Sequence, residues 1–274
     1  MRNFFNAAFK NPVSISVIAL FATLFIWWIW LHYILSNNPS NALLLWTGIY
    51  PLLSLFGAIF GFIASGRWGG TKTFIGRAII AFSLGLLFQF IGQAIYEYYF
   101  HYLNIEMPYP SISDIGFLTS ASFYIYGALM LVKVSRINLS LKLFKTNIHT
   151  IIIPLVILVI SYFIFLQGYL FDWSNPLSIF LDFLYPLLES IPISITLLAF
   201  SLSQQRLGGA IKIPIIFFIL ALLFQYLADF LFVYQAYRNI IDMGGIDDFL
   251  YAVSYILMAF SLILLSIWPK ILSD

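Results

Sequence analysis

Residues 74–98 read FIGRAIIAFSLGLLFQFIGQAIYEY, and residues 213–236 read IPIIFFILALLFQYLADFLFVYQA. Each stretch is apolar around almost the whole helical circumference. At about 1.5 Å of rise per residue, each is long enough to cross about 30 Å of hydrocarbon. Each also sets its polar groups on one stripe: Gln89, Gln93 and Glu97 recur at i, i+4 and i+8, and Gln225 and Asp229 repeat the first two. Period-two alternation is missing, so a membrane barrel is not expected. An all-α integral membrane protein is.

Six further segments share this character, giving eight expected transmembrane helices near 13–35, 42–65, 74–98, 114–133, 150–170, 178–201, 213–236 and 247–268. With 62% hydrophobic and 9% charged residues in 274, and a mean hydropathy of +0.98, little sequence is left for a soluble core. The 29 Phe, 17 Tyr and 7 Trp suit hydrocarbon and its interfaces. A formal charge of +2 with dispersed Lys and Arg excludes nucleic-acid binding as a class, and the absence of cysteine excludes disulfides, thiolate metal sites and a cysteine nucleophile. The first apolar run is too long for a secretion signal and lacks a small-x-small cleavage site, so it reads as a retained span. Arg2, Phe4, Phe5, Phe9 and Lys10 before it suit a short foot in the headgroup layer.

Orientation follows from the basic residues, which are retained on the cytoplasmic side. With the N-terminus inside, twelve of the 13 Lys and Arg fall in cytoplasmic segments and Arg238 alone falls outside. Eight spans then return the C-terminus to the cytoplasm, which places the chain in a cytoplasmic-type (inner) membrane. The spans also divide into two halves. Asn38-Pro39-Ser40 answers Asn175-Pro176-Leu177-Ser178, Tyr50-Pro51-Leu52-Leu53 answers Tyr185-Pro186-Leu187-Leu188, and Gly69-Gly70 answers Gly208-Gly209. Phe88-Gln89-Phe90 with Gln93 answers Phe224-Gln225-Tyr226 with Asp229, and Asp114 answers Asp248. All five pairs are separated by 134 to 139 residues. Two four-helix units are therefore expected, 1–133 and 150–274, joined by a basic cytoplasmic hinge at 134–149. Four spans per unit make this a parallel repeat about an axis along the membrane normal.

Ionisable groups inside spans are costly and usually face a bundle interior or a wet cavity. Here nearly all are acids. Asp182 and Glu189 share a face of the sixth span, and Asp114, Asp247 and Asp248 start the fourth and eighth, with Tyr251 and Tyr255 following. Gln93, Tyr96, Glu97, Asp182, Tyr185, Glu189, Asp229, Tyr251 and Tyr255 are the candidate ligand-binding residues, expected around one outward-opening cavity. With no base at that depth, the carboxyls either keep a proton or await a cation or amine. Each has a structural alternative. The glutamines serve equally as interhelical hydrogen-bond partners. Ser111-Ile112-Ser113-Asp114 is a Ser-x-x-Asp capping pattern, and acids after Gly244-Gly245 complement a helix start in the same way. Pro51 and Pro186 are matched helix breakers that free the carbonyls of Thr47 and Asp182, as suits either a packing kink or a cavity. Gly57, Gly61 and Ser65 form a small-xxx-small contact stripe.

Other motifs are wanting. Gly69-Gly70-Thr71-Lys72 lacks the Gly-Lys-Ser/Thr of a phosphate loop and is a turn, and His32, His101 and His149 lack metal-ligand spacing. No mid-span lysine offers a retinal Schiff base, and no hydrolase signature is present. Neither a catalytic residue nor a metal site is expected, and the sequence identifies no cofactor.

The tract Pro108-Tyr109-Pro110-Ser111-Ile112-Ser113-Asp114, with the aromatic span after it and Gln93 and Tyr96 before it, resembles the membrane-embedded input regions of bacterial and archaeal histidine kinases and diguanylate cyclases. The tract runs from about Phe88 to Lys133, with a weaker echo from Phe224 to Trp268. The resemblance implies a sensory or ligand-binding role for the outer half of the bundle. With only six residues after the last span, no output domain is expected, so such a module would act through a separate signalling chain or membrane complex besides the lipid bilayer. A small transporter or channel-like protein for a cation or amine is the second class, and a structural membrane subunit the third. A transporter needs polar groups through the full depth, whereas the first and fifth spans and the inner halves of the third and seventh are apolar.

Overall fold

A computed structural model describes residues 11–33, 41–103, 109–134, 145, 147–206, 212–238, 240 and 243–273. The N-terminal foot, Asn38-Pro39-Ser40, Met107, Gly208-Gly209 and all but the ends and Lys145 of the basic hinge lie outside the described residues. The described chain is helical, as lipid demands: with no water to pair them, backbone groups must be satisfied within each segment. The helices are α1 (Pro12–Tyr33), α2 (Asn41–Ile49), α3 (Leu52–Arg67), α4 (Phe74–His101), α5 (Ser113–Val134), α6 (His149–Ser161), α7 (Pro176–Arg206), α8 (Lys212–Arg238) and α9 (Ile246–Ser273).

Among the described residues, seven segments are long and apolar enough to cross a membrane, namely α1, α2 with α3, α4, α5, α7, α8 and α9. This is a multi-pass membrane protein. The exception to the expected eight is the segment at 150–170. It forms a 13-residue α-helix that carries Pro154, widens into a π turn at Tyr162–Leu166 and leaves helical geometry at Gln167. The two matched prolines also behave differently. Pro51 separates α2 from α3, with the Ser54 hydroxyl donating to its carbonyl at 2.6 Å, whereas Pro186 sits inside the uninterrupted α7.

Six helices touch in a closed order, α3 to α4 to α5 to α7 to α8 to α9 and back to α3. α1 lies outside against α9 and α3, and α6 lies outside against α7. The burial agrees: 22% of the apolar window of α1 is buried, against 78% for α9. Tight contacts are made by small residues. A Cβ on Gly57 would stand 2.7 Å from Leu86 and 2.9 Å from Ala259, and one on Gly61 would strike Ser83 and Leu262, so this stripe wedges α3 between α4 and α9. On the α4–α5 seam, Gly85 faces Tyr124, Gly92 faces Phe117 and Gly127 faces Phe82. Two indoles tie α1 in place: Trp46 Nε1 donates to the Leu24 carbonyl at 2.9 Å and Trp28 Nε1 to the Gly244 carbonyl at 2.8 Å. Phe82 and Phe218 stack at 4.1 Å in the buried core.

Candidate functional site

The starts of α5 and α9 set the site. At α5 the expected cap forms, with the Ser111 backbone N–H donating to Asp114 Oδ2 at 2.6 Å and the Ser111 hydroxyl at 3.2 Å. That leaves Oδ1 free to face another helix, and the Tyr185 hydroxyl of α7 donates to it at 2.5 Å. At α9 the arrangement recurs. The Gly244 N–H donates to Asp248 Oδ2 at 2.7 Å, and Tyr50, at the break between α2 and α3, donates to Oδ1 at 2.6 Å. Beside it, Gln235 of α8 donates to Asp247 Oδ1 at 3.2 Å. Asp114 and Asp248 are thus each both a local cap and an interhelical acceptor, and Asp247 is an interhelical acceptor.

Deeper along α8 and α9, the Tyr251 hydroxyl donates to Asp229 Oδ1 at 2.6 Å, and Gln225 Nε2 reaches the same oxygen at 3.5 Å. Ser254 donates to Gln225 Oε1 at 3.2 Å and Tyr255 to Gln89 Oε1 at 3.2 Å, which carries the polar chain from α8 across α9 to α4. Tyr251 and Tyr255 stack at 6.2 Å, and Tyr50 and Tyr255 at 6.3 Å.

These groups surround a cavity lined by Gln93, Tyr96, Tyr109, Ser111, Ser113, Asp114, Phe117, Tyr185, Asp229, Phe232, Val233, Met243, Asp247, Asp248 and Tyr251. Its free space, about 40 Å³ for the centre of a water-sized sphere, is enough for a few waters or one small cation. Among the described lining residues four side chains are carboxyls and none is Lys or Arg. Such a set favours a positively charged or hydrogen-bond-donating guest. Among the described residues no three His, Asp or Glu side chains are grouped to hold a metal ion.

Of the residues named from sequence, Gln93, Tyr96, Tyr185, Asp229 and Tyr251 line this cavity together with the three helix-start acids. Glu97, Asp182, Glu189 and Tyr255 stand outside the lining. Glu97 Oε2 accepts from Thr47 at 3.2 Å, and Asp182 is held by Tyr109 at 2.7 Å and Tyr169 at 2.5 Å. Burial, followed by the adjacent Asp182 carboxyl, holds the Tyr109 phenol well above its ordinary pKa. Glu189 is 2% exposed, and its Oε2 has no hydrogen-bond partner among the described residues. Tyr50 and Tyr109 were missed from sequence. Tyr50 could have been found as the twin of Tyr185 in the Tyr-Pro-Leu-Leu pair, and Tyr109 sits inside the proline-serine tract; nothing local marks Phe232 or Met243.

No family model matches the chain, and no curated protein or solved structure is significantly similar to it.

Proposed function

We propose that the protein is a non-catalytic sensory or ligand-binding membrane module that takes a small cation or amine into this cavity from outside and passes the bound state to a partner protein. The carrying observation is the lining itself, in which the described residues supply four carboxyls and four tyrosines and no basic side chain. The charge count puts the helix starts of α5 and α9 on the outer side and both termini inside.

The eight-span, two-unit organisation belongs to the same proposal. The stretch from His149 to Leu166 measures about 27 Å at helical rise, within a few ångströms of the hydrocarbon thickness, which supports an eighth crossing. The ring order supports the repeat, because each unit supplies three consecutive helices in the same sequence. So does the exchange of bonds: Tyr50 of the first unit donates to Asp248 of the second, and Tyr185 of the second to Asp114 of the first. A two-fold axis along the membrane normal relates such a pair.

Transport of the same ligand is the second reading, favoured by the repeat and by the polar chain that descends from Asp229 to Gln89. Against it, the chain ends on apolar packing, with the Phe82–Phe218 stack beneath it and Leu86 beside. Binding is tested on the purified protein by its unfolding midpoint against methylammonium, tetramethylammonium, sodium and calcium at constant ionic strength, with acetate as the anion control. At least one cation should stabilise saturably and acetate should not. Asp229→Asn should weaken that cation roughly ten- to hundredfold, the worth of one charge-assisted contact. No stabilisation by any of the four, or full binding in Asp229→Asn, refutes the proposal.

A further inference from the structure

A second binding feature lies at the opposite end of α4. Thr73 caps the helix, its hydroxyl accepting from the Gly76 N–H at 3.0 Å and donating to the Trp68 carbonyl, and so fixes the turn before it. Around this turn a hollow of about 390 Å³ is bordered by Lys72, Thr73, Phe74, Ile75, Arg77 and Val134. The Arg77 guanidinium and the Lys133 ammonium each lie 6.0 Å from the centre of the Phe74 ring, so cations from α4 and α5 flank one aromatic ring at the border of the hollow, with Lys72 on its rim. Arg77 Nε donates to the Thr71 carbonyl at 2.6 Å, which anchors the guanidinium at the rim.

Arg77 also borders a second hollow of about 310 Å³, whose other walls are Thr71, Ile80, Ala81, Leu84, Phe123 and Tyr126. On α4, positions 77, 80, 81 and 84 are spaced i, i+3, i+4 and i+7, one helical face. This groove therefore runs along the α4–α5 seam for about 10 Å from the basic rim into the apolar depth of the bundle. A basic, hydroxyl-bearing hollow at the helix ends, adjoining an apolar groove across the shared wall residue Arg77, matches a molecule with an anionic head and a hydrocarbon tail.

We propose that this seam binds one anionic phospholipid, with its phosphate between Lys72, Arg77 and Lys133 and one acyl chain along Ile80, Leu84, Phe123 and Tyr126. The charge complementarity selects an anionic over a zwitterionic head. The groove distinguishes a lipid from free phosphate, because phosphate alone has no use for it.

The test is native mass spectrometry of the full-length protein in mixed micelles holding equal amounts of phosphatidylglycerol and phosphatidylcholine with matched acyl chains. Phosphatidylglycerol should be retained in preference. The double variant Lys72→Gln, Lys133→Gln should lower that retention about 25-fold, at roughly fivefold per basic group near the headgroup. Both lysines are exposed, so these changes leave the fold intact. Leu84→Trp, which fills the groove and keeps every charge, should also release the lipid, while millimolar inorganic phosphate should not displace it. Equal retention of the two lipids, or unchanged retention in the lysine variant, overturns the site. Displacement by inorganic phosphate with no effect of Leu84→Trp overturns the lipid and leaves a phosphate site. If Leu84→Trp fails to fold, the lysine variant and the phosphate competition decide.

Discussion

Asp114 and Asp248 show how one carboxyl serves two levels of structure. One oxygen of each satisfies the N–H groups that any helix start leaves unpaired, and the other accepts a phenol from a helix of the opposite proposed unit. The capping half was legible in the sequence, because the Ser-x-x-Asp pattern and the glycine pair lie within four residues of their acids. The tyrosine half was not: Tyr50 and Asp248 are 198 residues apart, and a buried phenol has no local signature of its partner. Interhelical hydrogen bonds inside membranes couple by about 0.6 kcal/mol on average and up to about 1.7 kcal/mol. A double-mutant cycle of Tyr50→Phe with Asp248→Asn, followed by unfolding in mixed micelles, should give a coupling in the upper part of that range. The cycle Tyr185→Phe with Asp114→Asn should match it. A coupling near zero in both would mean that neither bond holds the units together.

Between elements, small residues rather than hydrophobicity set the contacts, since lipid solvates an apolar helix as well as a neighbouring helix does. Gly116 shows this at the α4–α5 seam. A Cβ there would lie 3.0 Å from the backbone of Gly92 and 3.1 Å from the Phe88 carbonyl, and backbone cannot swing aside as a side chain can. Gly48, by contrast, has nothing within 4 Å of such a Cβ. Gly116→Ala should therefore destabilise by about 1–3 kcal/mol, the usual cost of overpacking, and Gly48→Ala should not destabilise at all. Equal midpoints for the two variants would show that α4 and α5 have slack at this seam. The Gly57 and Gly61 stripe was readable from its four-residue spacing, whereas the α4–α5 glycines lie seven residues apart on α4 and eleven apart on α5 and do not form a glycine pair at that spacing. The end of α6 was also opaque, because a run of apolar residues does not announce a π turn.

At the scale of the whole molecule, hydropathy and span length were enough for a helical membrane bundle, yet the ring order was not readable, because helices apolar on every side give no hint of which face meets which neighbour. The same blindness explains the candidate site. Stripes placed Gln93 and Asp229 on faces that line the cavity, but sequence could not tell that Glu97 and Asp182 turn to other partners and Glu189 stands outside the lining, while Tyr109 and Met243 close the cavity. Central to the account is an acidic cavity open to the outside, and the absence of cysteine makes it directly testable. Met243→Cys places a single thiol on the cavity wall. In intact cells, an impermeant cationic thiosulfonate added outside should modify it at least about tenfold faster than an anionic one of similar size, because the four carboxyls concentrate cations at the thiol. That preference should shrink at high salt. Labelling from the cytoplasmic side only, or faster reaction with the anionic reagent, would contradict both the orientation and the charge of the site.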